Sequence, residues 1–139
     1  MPPPVRKEDL PALGAPGTGV ISGTHKFCTL PGEGKFFGTG GCETCVGLIV
    51  VCDGGKGAIF HFTTDDKAQS TLAKYDWSNE KGCKAYIFGG NDERGSKNLF
   101  DEVFNWSSRL FGKKNVFVID ASAAYVNSKG EIVVRPPAK

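Results

Sequence analysis

The sequence predicts an α/β fold: a single-domain sandwich in which mixed or antiparallel strands pack with two main helices. The chain has 139 residues, which is the size of one domain with a proper core. Hydrophobic residues make up 40% of the chain and charged residues 23%, as is typical of soluble globular proteins. Short apolar runs alternate with segments of helical spacing, and this mixed order of elements favours sheets covered by helices.

The first half of the chain predicts an N-terminal arm followed by a hairpin. Residues 1–17 are rich in Pro and Gly and are predicted to form a flexible arm, which leaves 18–137 as the folded domain. A short edge strand is predicted around Val20 and Ile21. The run 45–52 is nearly all apolar, which predicts a central strand buried on both faces. A glycine-rich turn then leads to a return strand over 58–62.

The second half predicts both helices and the remaining strands. A short helix is expected over 67–74, after polar residues that favour helix entry. The longer helix runs from Ser96 to Phe111, where apolar residues recur at i, i+3 and i+4, and Gly112 is placed to end it. Further strands are predicted over 83–88, 116–119 and 131–135, and 123–126 is expected to continue the second of these.

Cys45 and His61 are the candidate catalytic pair. A glycine-rich loop brings Cys45 to the start of the central strand, and the return strand carries His61 back towards it. A cysteine beside a histidine can form a thiolate–imidazolium pair, which is the arrangement that a thiolate nucleophile needs. The register is open, because His61 can lie opposite any residue from Thr44 to Val51.

The loop before Cys45 is also the candidate substrate loop. Backbone N–H groups of such loops are natural oxyanion donors, and the candidates here are Gly40, Gly41 and Thr44, together with the amide of Cys45. The expected chemistry is acyl transfer at a carbonyl or carboxamide carbon. This chemistry needs no cofactor and no metal, and neither is predicted.

The five cysteines leave alternatives open. An odd number argues against a closed disulfide framework, so Cys52 and Cys83 are expected to be reduced core residues. Cys42-x-x-Cys45 also matches redox and zinc motifs, although no second ligand pair of the usual spacing accompanies it. Free thiols persist in reducing compartments, so the expected location is the cytoplasm, or a host cytosol if the protein is exported.

Charge and hydropathy predict few partners. The formal charge is +2 and its Lys and Arg residues are scattered, so no nucleic-acid surface is expected. No apolar run has the roughly 20 residues of a membrane helix, so membrane insertion is not expected. The protein is expected to be a monomer.

Thr39 and the following glycines precede Cys45-Val46-Gly47-Leu48, and an apolar strand ending in His61 comes next. This order of motifs resembles the chemoreceptor glutamine deamidases, the CheD-like family, and the related catalytic domain of cytotoxic necrotizing factor. It continues through a strand closed by Gly89-Gly90 and a following amphipathic helix. In all it covers about residues 35–135.

The resemblance implies a deamidase domain over 18–137, with Cys45 as nucleophile, His61 as base and Thr39 as the residue that holds the histidine. The implied enzyme is a protein-glutamine deamidase: its partner would be a protein substrate with an exposed Gln or Asn, whose side chain it would hydrolyse through a thioester. The alternatives are a bacterial effector or toxin acting on a host protein, another thiol hydrolase or a transglutaminase, and a non-catalytic binding module of the same fold. Glu43-Thr44 replaces the Gly-Ser that usually precedes the family's cysteine, so the substrate stays open.

Overall fold

The computed structural model describes residues 18–19, 23–32 and 35–135. The predicted arm over 1–17 and the predicted strand around Val20 and Ile21 lie outside these residues. The elements, in chain order, are β1 (Thr18–Gly19), β2 (His25–Thr29), β3 (Phe37–Thr39), β4 (Val46–Val51), β5 (Lys56–Phe62), α1 (Ala68–Leu72), β6 (Lys84–Gly89), α2 (Arg94–Phe111), β7 (Val116–Ile119), β8 (Ala123–Val126) and β9 (Ile132–Arg135).

Two sheets and two helices form the described domain, and the predicted α/β sandwich is confirmed. The larger sheet has the order β2-β5-β4-β6-β7 and the smaller one the order β1-β3-β8-β9. Most strand pairs are antiparallel, whereas β7 runs parallel to β6 and β1 parallel to β3. The prediction that 123–126 continues the preceding strand is wrong, because β8 pairs with β3 and β9 in the smaller sheet.

β4 is the centre of the larger sheet and is buried on both faces, as its apolar run predicted. Successive side chains of a strand point to opposite faces. Leu48 therefore packs in the cluster that includes Leu99 and Val103 of α2, whereas Ile49 packs in the cluster that includes Val126 and Val134 of the smaller sheet. The order of layers is helices, larger sheet, smaller sheet.

The β4–β5 hairpin fixes the register that the sequence left open. Gly47 is paired with His61, and Val46 with Phe62. The turn uses Gly54 and Gly55, whose φ angles of 82° and 76° favour glycine. Since the side chains of paired residues share a face, His61 points towards the smaller sheet.

The long helix begins two residues earlier than predicted, at Arg94 rather than Ser96. Ser96 is buried inside the first turn, where its Oγ accepts a hydrogen bond from the Asn91 N–H at 2.8 Å. The Ser96 hydroxyl thus bonds the loop before the helix, and it does not cap the free N–H groups of the first helical turn. The shorter helix covers 68–72 of the predicted 67–74.

Cys52 and Cys83 form a disulfide, so the expectation that both are reduced core residues is wrong. Val51 is paired with Lys84 across β4 and β6, and the next step along the antiparallel pair places Cys52 opposite Cys83. The sequence alone does not predict this bond, because 31 positions separate the two cysteines. Only the pairing of β4 with β6 brings them together. Cys28, Cys42 and Cys45 are free thiols.

Candidate functional site

His61 lies near the end of β5 with its side chain between the two sheets, only 4% exposed. Both of its main-chain groups are bonded to the segment before β2: its N–H donates to the Thr24 carbonyl at 3.0 Å, and its carbonyl accepts from the Gly23 N–H at 2.9 Å. The backbone of β5 therefore fixes the position of the ring. Only the ring nitrogens remain to interact with the groups that the smaller sheet supplies.

Thr39 provides the first of these groups. It lies in β3 of the smaller sheet, 1% exposed, and its Oγ1 is 2.6 Å from Nδ1 of His61. This short hydrogen bond joins the two sheets at the site and limits rotation of the imidazole ring. The sequence-based role of Thr39, as the residue that holds the histidine, is compatible with this contact.

Cys42 is the thiol that the structure brings to His61. Its Sγ is 3.8 Å from Nδ1 and 3.9 Å from Nε2 of the ring. Nearly equal distances place the sulfur beside the N–C–N part of the ring rather than along the lone pair of one nitrogen. Catalytic hydrogen bonds are often long or poorly aligned before substrate binds, so this geometry does not exclude proton transfer between the sulfur and the ring.

The loop that carries Cys42 is anchored to both sheets. The Cys42 N–H donates to the Ser122 carbonyl at 2.9 Å, and the Cys45 carbonyl accepts from the Gly90 N–H at 2.8 Å. Gly89 has a φ of 83°, and a side chain there would collide with Cβ of Cys42 and with the Cys45 carbonyl. The glycine pair that closes β6 thus makes room for the cysteine loop.

Cys45, the predicted nucleophile, is partly exposed at the start of β4. Within the described residues, the hydrogen-bonding contacts of the His61 ring are with Thr39 and Cys42. Sequence reasoning treated Cys42 as an extra thiol, because it is separated from the strand by Glu43 and Thr44. The sequence feature that could have indicated the position of Cys42 is Gly40-Gly41 directly before it. Gly41 has a φ of 70°, a backbone conformation that favours glycine and allows a sharp turn in the loop.

Burial determines the protonation states of the pair. Burial, and to a smaller extent charge repulsion from Cys45, raises the pKa of the Cys42 thiol to about 12. Burial also lowers the pKa of His61, which the charge of Asp66 partly opposes. Both effects favour a neutral thiol beside a neutral imidazole at pH 7, rather than the thiolate–imidazolium pair predicted from the sequence.

Gly40, Gly41 and Thr44 belong to the same loop as Cys42. The N–H groups of Cys42 and Glu43 are already engaged, with the carbonyls of Ser122 and Gly41. They are therefore not available to a developing oxyanion in this conformation. The predicted oxyanion role stays with the amides of Gly40, Gly41 and Thr44, and Gly41 is exposed to solvent.

A cavity of about 700 Å³ lies beside the cysteine. Cys42 and Glu43 form one wall, Phe100 of α2 another, and the segment from Val118 to Ser122 a third. This volume is within the range of small-molecule and side-chain binding sites. A thiol next to a buried histidine, at the wall of such a cavity, can attack an electrophilic carbon once the histidine takes its proton.

Neither a scan against protein-family models nor a search of curated proteins finds a match to this chain. Among the described residues, no helix is both long enough and apolar enough to cross a membrane.

The buried neutral histidine predicts a pH-dependent stability. Because the folded-state pKa of His61 lies below its ordinary value of 6.5, the unfolded chain binds more protons. This contribution to stability is fully present above pH 6.5 and is lost as the pH falls towards the folded-state pKa. His25, whose pKa burial also lowers, adds to the same trend.

We expect the free energy of unfolding to fall between pH 6.5 and 5.5 by at most about 1.4 kcal/mol per pH unit for each histidine. Urea unfolding at several pH values measures this slope. His61→Gln should flatten it, and His25→Gln is the matched comparison because the second histidine lies outside the site. An unchanged slope in His61→Gln would contradict a depressed pKa at His61.

Proposed function

We propose that this protein is a thiol-dependent amidohydrolase that converts the carboxamide of a Gln or Asn side chain on a protein substrate to a carboxylate. The observation that carries the proposal is the Cys42–His61–Thr39 contact, in which Cys42 also lines the cavity. The resemblance to protein-glutamine deamidases supports the same reaction class. A buried thiol, a base within reach and a residue that orients the base are the parts that this chemistry requires.

In the proposed reaction the thiol proton moves from Cys42 to His61 as the sulfur attacks the carboxamide carbon. The tetrahedral intermediate then expels the amine, which takes the proton from His61 and leaves as ammonia. The resulting thioester is attacked by water, whose proton His61 accepts, and the enzyme thiol is released with the new carboxylate. Thr39 holds Nδ1, so Nε2 is the nitrogen that moves protons in this mechanism.

The two lines of support assign the nucleophile differently. The resemblance assigns it to Cys45, whereas the contacts with His61 favour Cys42. We propose Cys42, because general-base catalysis needs the base within reach of the proton that it accepts. A neutral thiol of high pKa is a weak nucleophile until the base takes its proton, so the contact with His61 matters more than the thiol's own acidity.

The disulfide favours one variant of this function, an exported effector that acts on a protein of another cell. Disulfides form and persist in oxidising environments and are rare in the cytosol. Cys52–Cys83 closes a separation of 31 positions and fixes the end of the central β4–β6 pair. The bond would survive passage outside the cell, whereas a protein confined to a reducing cytoplasm would gain little from it.

The proposed function is tested by release of ammonia from protein mixtures. Wild-type protein should release ammonia and give a target peptide with a mass gain of about 1 Da, the change from carboxamide to carboxylate. His61→Ala should do neither, because it removes the base. A transglutaminase would instead attach an added primary amine such as methylamine. Absence of both reactions, with all three free thiols unreactive towards iodoacetamide, would indicate a non-catalytic binding module.

A further inference from the structure

The cavity beside Cys42 continues into a second space of about 260 Å³ towards the start of α2. The two share Gly89, Gly90, Asn91 and Phe100 as lining residues. We call the combined space the site groove. It begins at the residue that we propose as nucleophile and runs away from it along the surface, so a segment of substrate that presents a carboxamide to Cys42 would lie along this groove.

The site groove is acidic although the chain as a whole is not. Its charged lining residues are four carboxylates and one ammonium: Glu43, Asp92, Asp101, Asp120 and Lys97. Four negative charges against one positive give a formal charge of −3, whereas the whole chain carries +2. Within the described part of the chain, no salt bridge neutralises any of these carboxylates. A cleft lined by one sign of charge attracts the opposite sign.

The groove also has an apolar wall. Phe100 of α2 is partly buried there, and Val118 of β7 is 56% exposed, one of the few large hydrophobic side chains at the surface of the described residues. β7 is the edge strand of the larger sheet. The aliphatic stems of Lys and Arg can cover such apolar surface while their charged ends reach carboxylates.

We propose that the site groove selects a carboxamide carried on a basic protein segment, one in which Lys or Arg flanks the Gln or Asn. This inference rests on the proposed function and names its substrate class. Asp120 and Glu43 are the specificity-determining residues, because they line the same cavity as Cys42 and are exposed to solvent. Acidic flanking residues would meet like charges and be rejected.

Three Gln peptides of equal length test the proposal, with flanking Lys/Arg, Ser/Ala or Asp/Glu. At low salt, kcat/KM for the basic peptide should exceed that for the acidic one by at least about tenfold, mainly through KM, and high salt should reduce the ratio. The double variant Asp120→Asn/Glu43→Gln should lose most of the preference. Asp53→Asn is the matched control, since Asp53 lies at the opposite end of β4 and should keep the preference.

Binding separates this inference from the proposed function. Anisotropy of a labelled basic peptide on the Cys42→Ala variant should report binding that the Asp120→Asn/Glu43→Gln substitutions weaken, even if no turnover occurs. Turnover without a charge preference would overturn the inference and leave the deamidase proposal standing. Binding of the basic peptide without turnover of any substrate would overturn the deamidase proposal alone. Absence of selective binding would overturn the inference in either case.

Discussion

Cys42→Ser and Cys42→Ala should each lower kcat/KM for carboxamide hydrolysis by at least about a thousandfold, because they remove the sulfur that forms the thioester. Cys45→Ser should retain most of the activity, since within the described residues His61 contacts the other thiol. The two cysteines lie three positions apart in one loop, so each substitution is the matched control of the other. Ammonia release on the substrate identified from protein mixtures is the measurement.

Stability has to be measured beside activity. Cys42 is 2% exposed, so a serine hydroxyl there buries a polar group, whereas alanine does not. Activity should be absent from both variants while thermal unfolding stays close to wild type in at least the alanine variant. The reverse pattern, an active Cys42→Ala and an inactive Cys45→Ser, would show that Cys45 is the nucleophile, as the family resemblance implies. Full activity in Cys42→Ala and in Cys45→Ser would contradict a mechanism that uses either thiol.

Removal of the Cys52–Cys83 disulfide should lower the free energy of unfolding by about 2–4 kcal/mol, the usual effect of a cross-link that closes a loop of this length. The variant is Cys52→Ala/Cys83→Ala, and denaturant unfolding with and without dithiothreitol is the measurement. Dithiothreitol should destabilise the wild type and leave the double variant unchanged. Cys28→Ala is the control, because Cys28 is a free thiol and should keep the sensitivity to the reductant.

The same experiment bears on where the protein acts. Destabilisation by dithiothreitol of the wild type but not of the Cys52→Ala/Cys83→Ala protein would support an exported effector. Disulfides such as Cys52–Cys83 persist in oxidising environments and are rare in the cytosol. Five titratable thiols in protein purified without reductant would contradict the bond and with it the argument for export. Mass measurement after alkylation counts these thiols directly.

Sequence periodicity was sufficient to predict the hairpin that carries the site. The apolar run 45–52 and the glycine-rich turn after it predicted a doubly buried strand and its return partner, and β4 and β5 confirm both. These elements are local, because burial on two faces leaves an unbroken apolar pattern and a tight turn needs residues that adopt positive φ. The amphipathic spacing of α2 predicted a helix for the same reason, although the helix begins two residues before the predicted start.

The strands of the smaller sheet were harder to predict. The segment 123–126 lies three residues after β7 and its sequence predicts a continuation of that strand, yet β8 pairs with β3, more than 80 positions earlier in the chain. No local pattern identifies such a distant partner. The Cys52–Cys83 bond was missed for the same reason, since it depends on the pairing of β4 with β6.

By itself, the sequence determined the α/β class and the central hairpin, and it predicted that the return strand carries His61; Thr39 entered only through the family resemblance. Only the tertiary structure decided which thiol lies beside the histidine, because that depends on the positive φ of Gly41 and on the hydrogen bond of the Cys42 N–H with the Ser122 carbonyl. It also decided the protonation states, since burial between the sheets raises the pKa of the Cys42 thiol and lowers that of His61. Contacts between distant segments and exclusion of water are properties of the packed layers, which no single stretch of sequence contains.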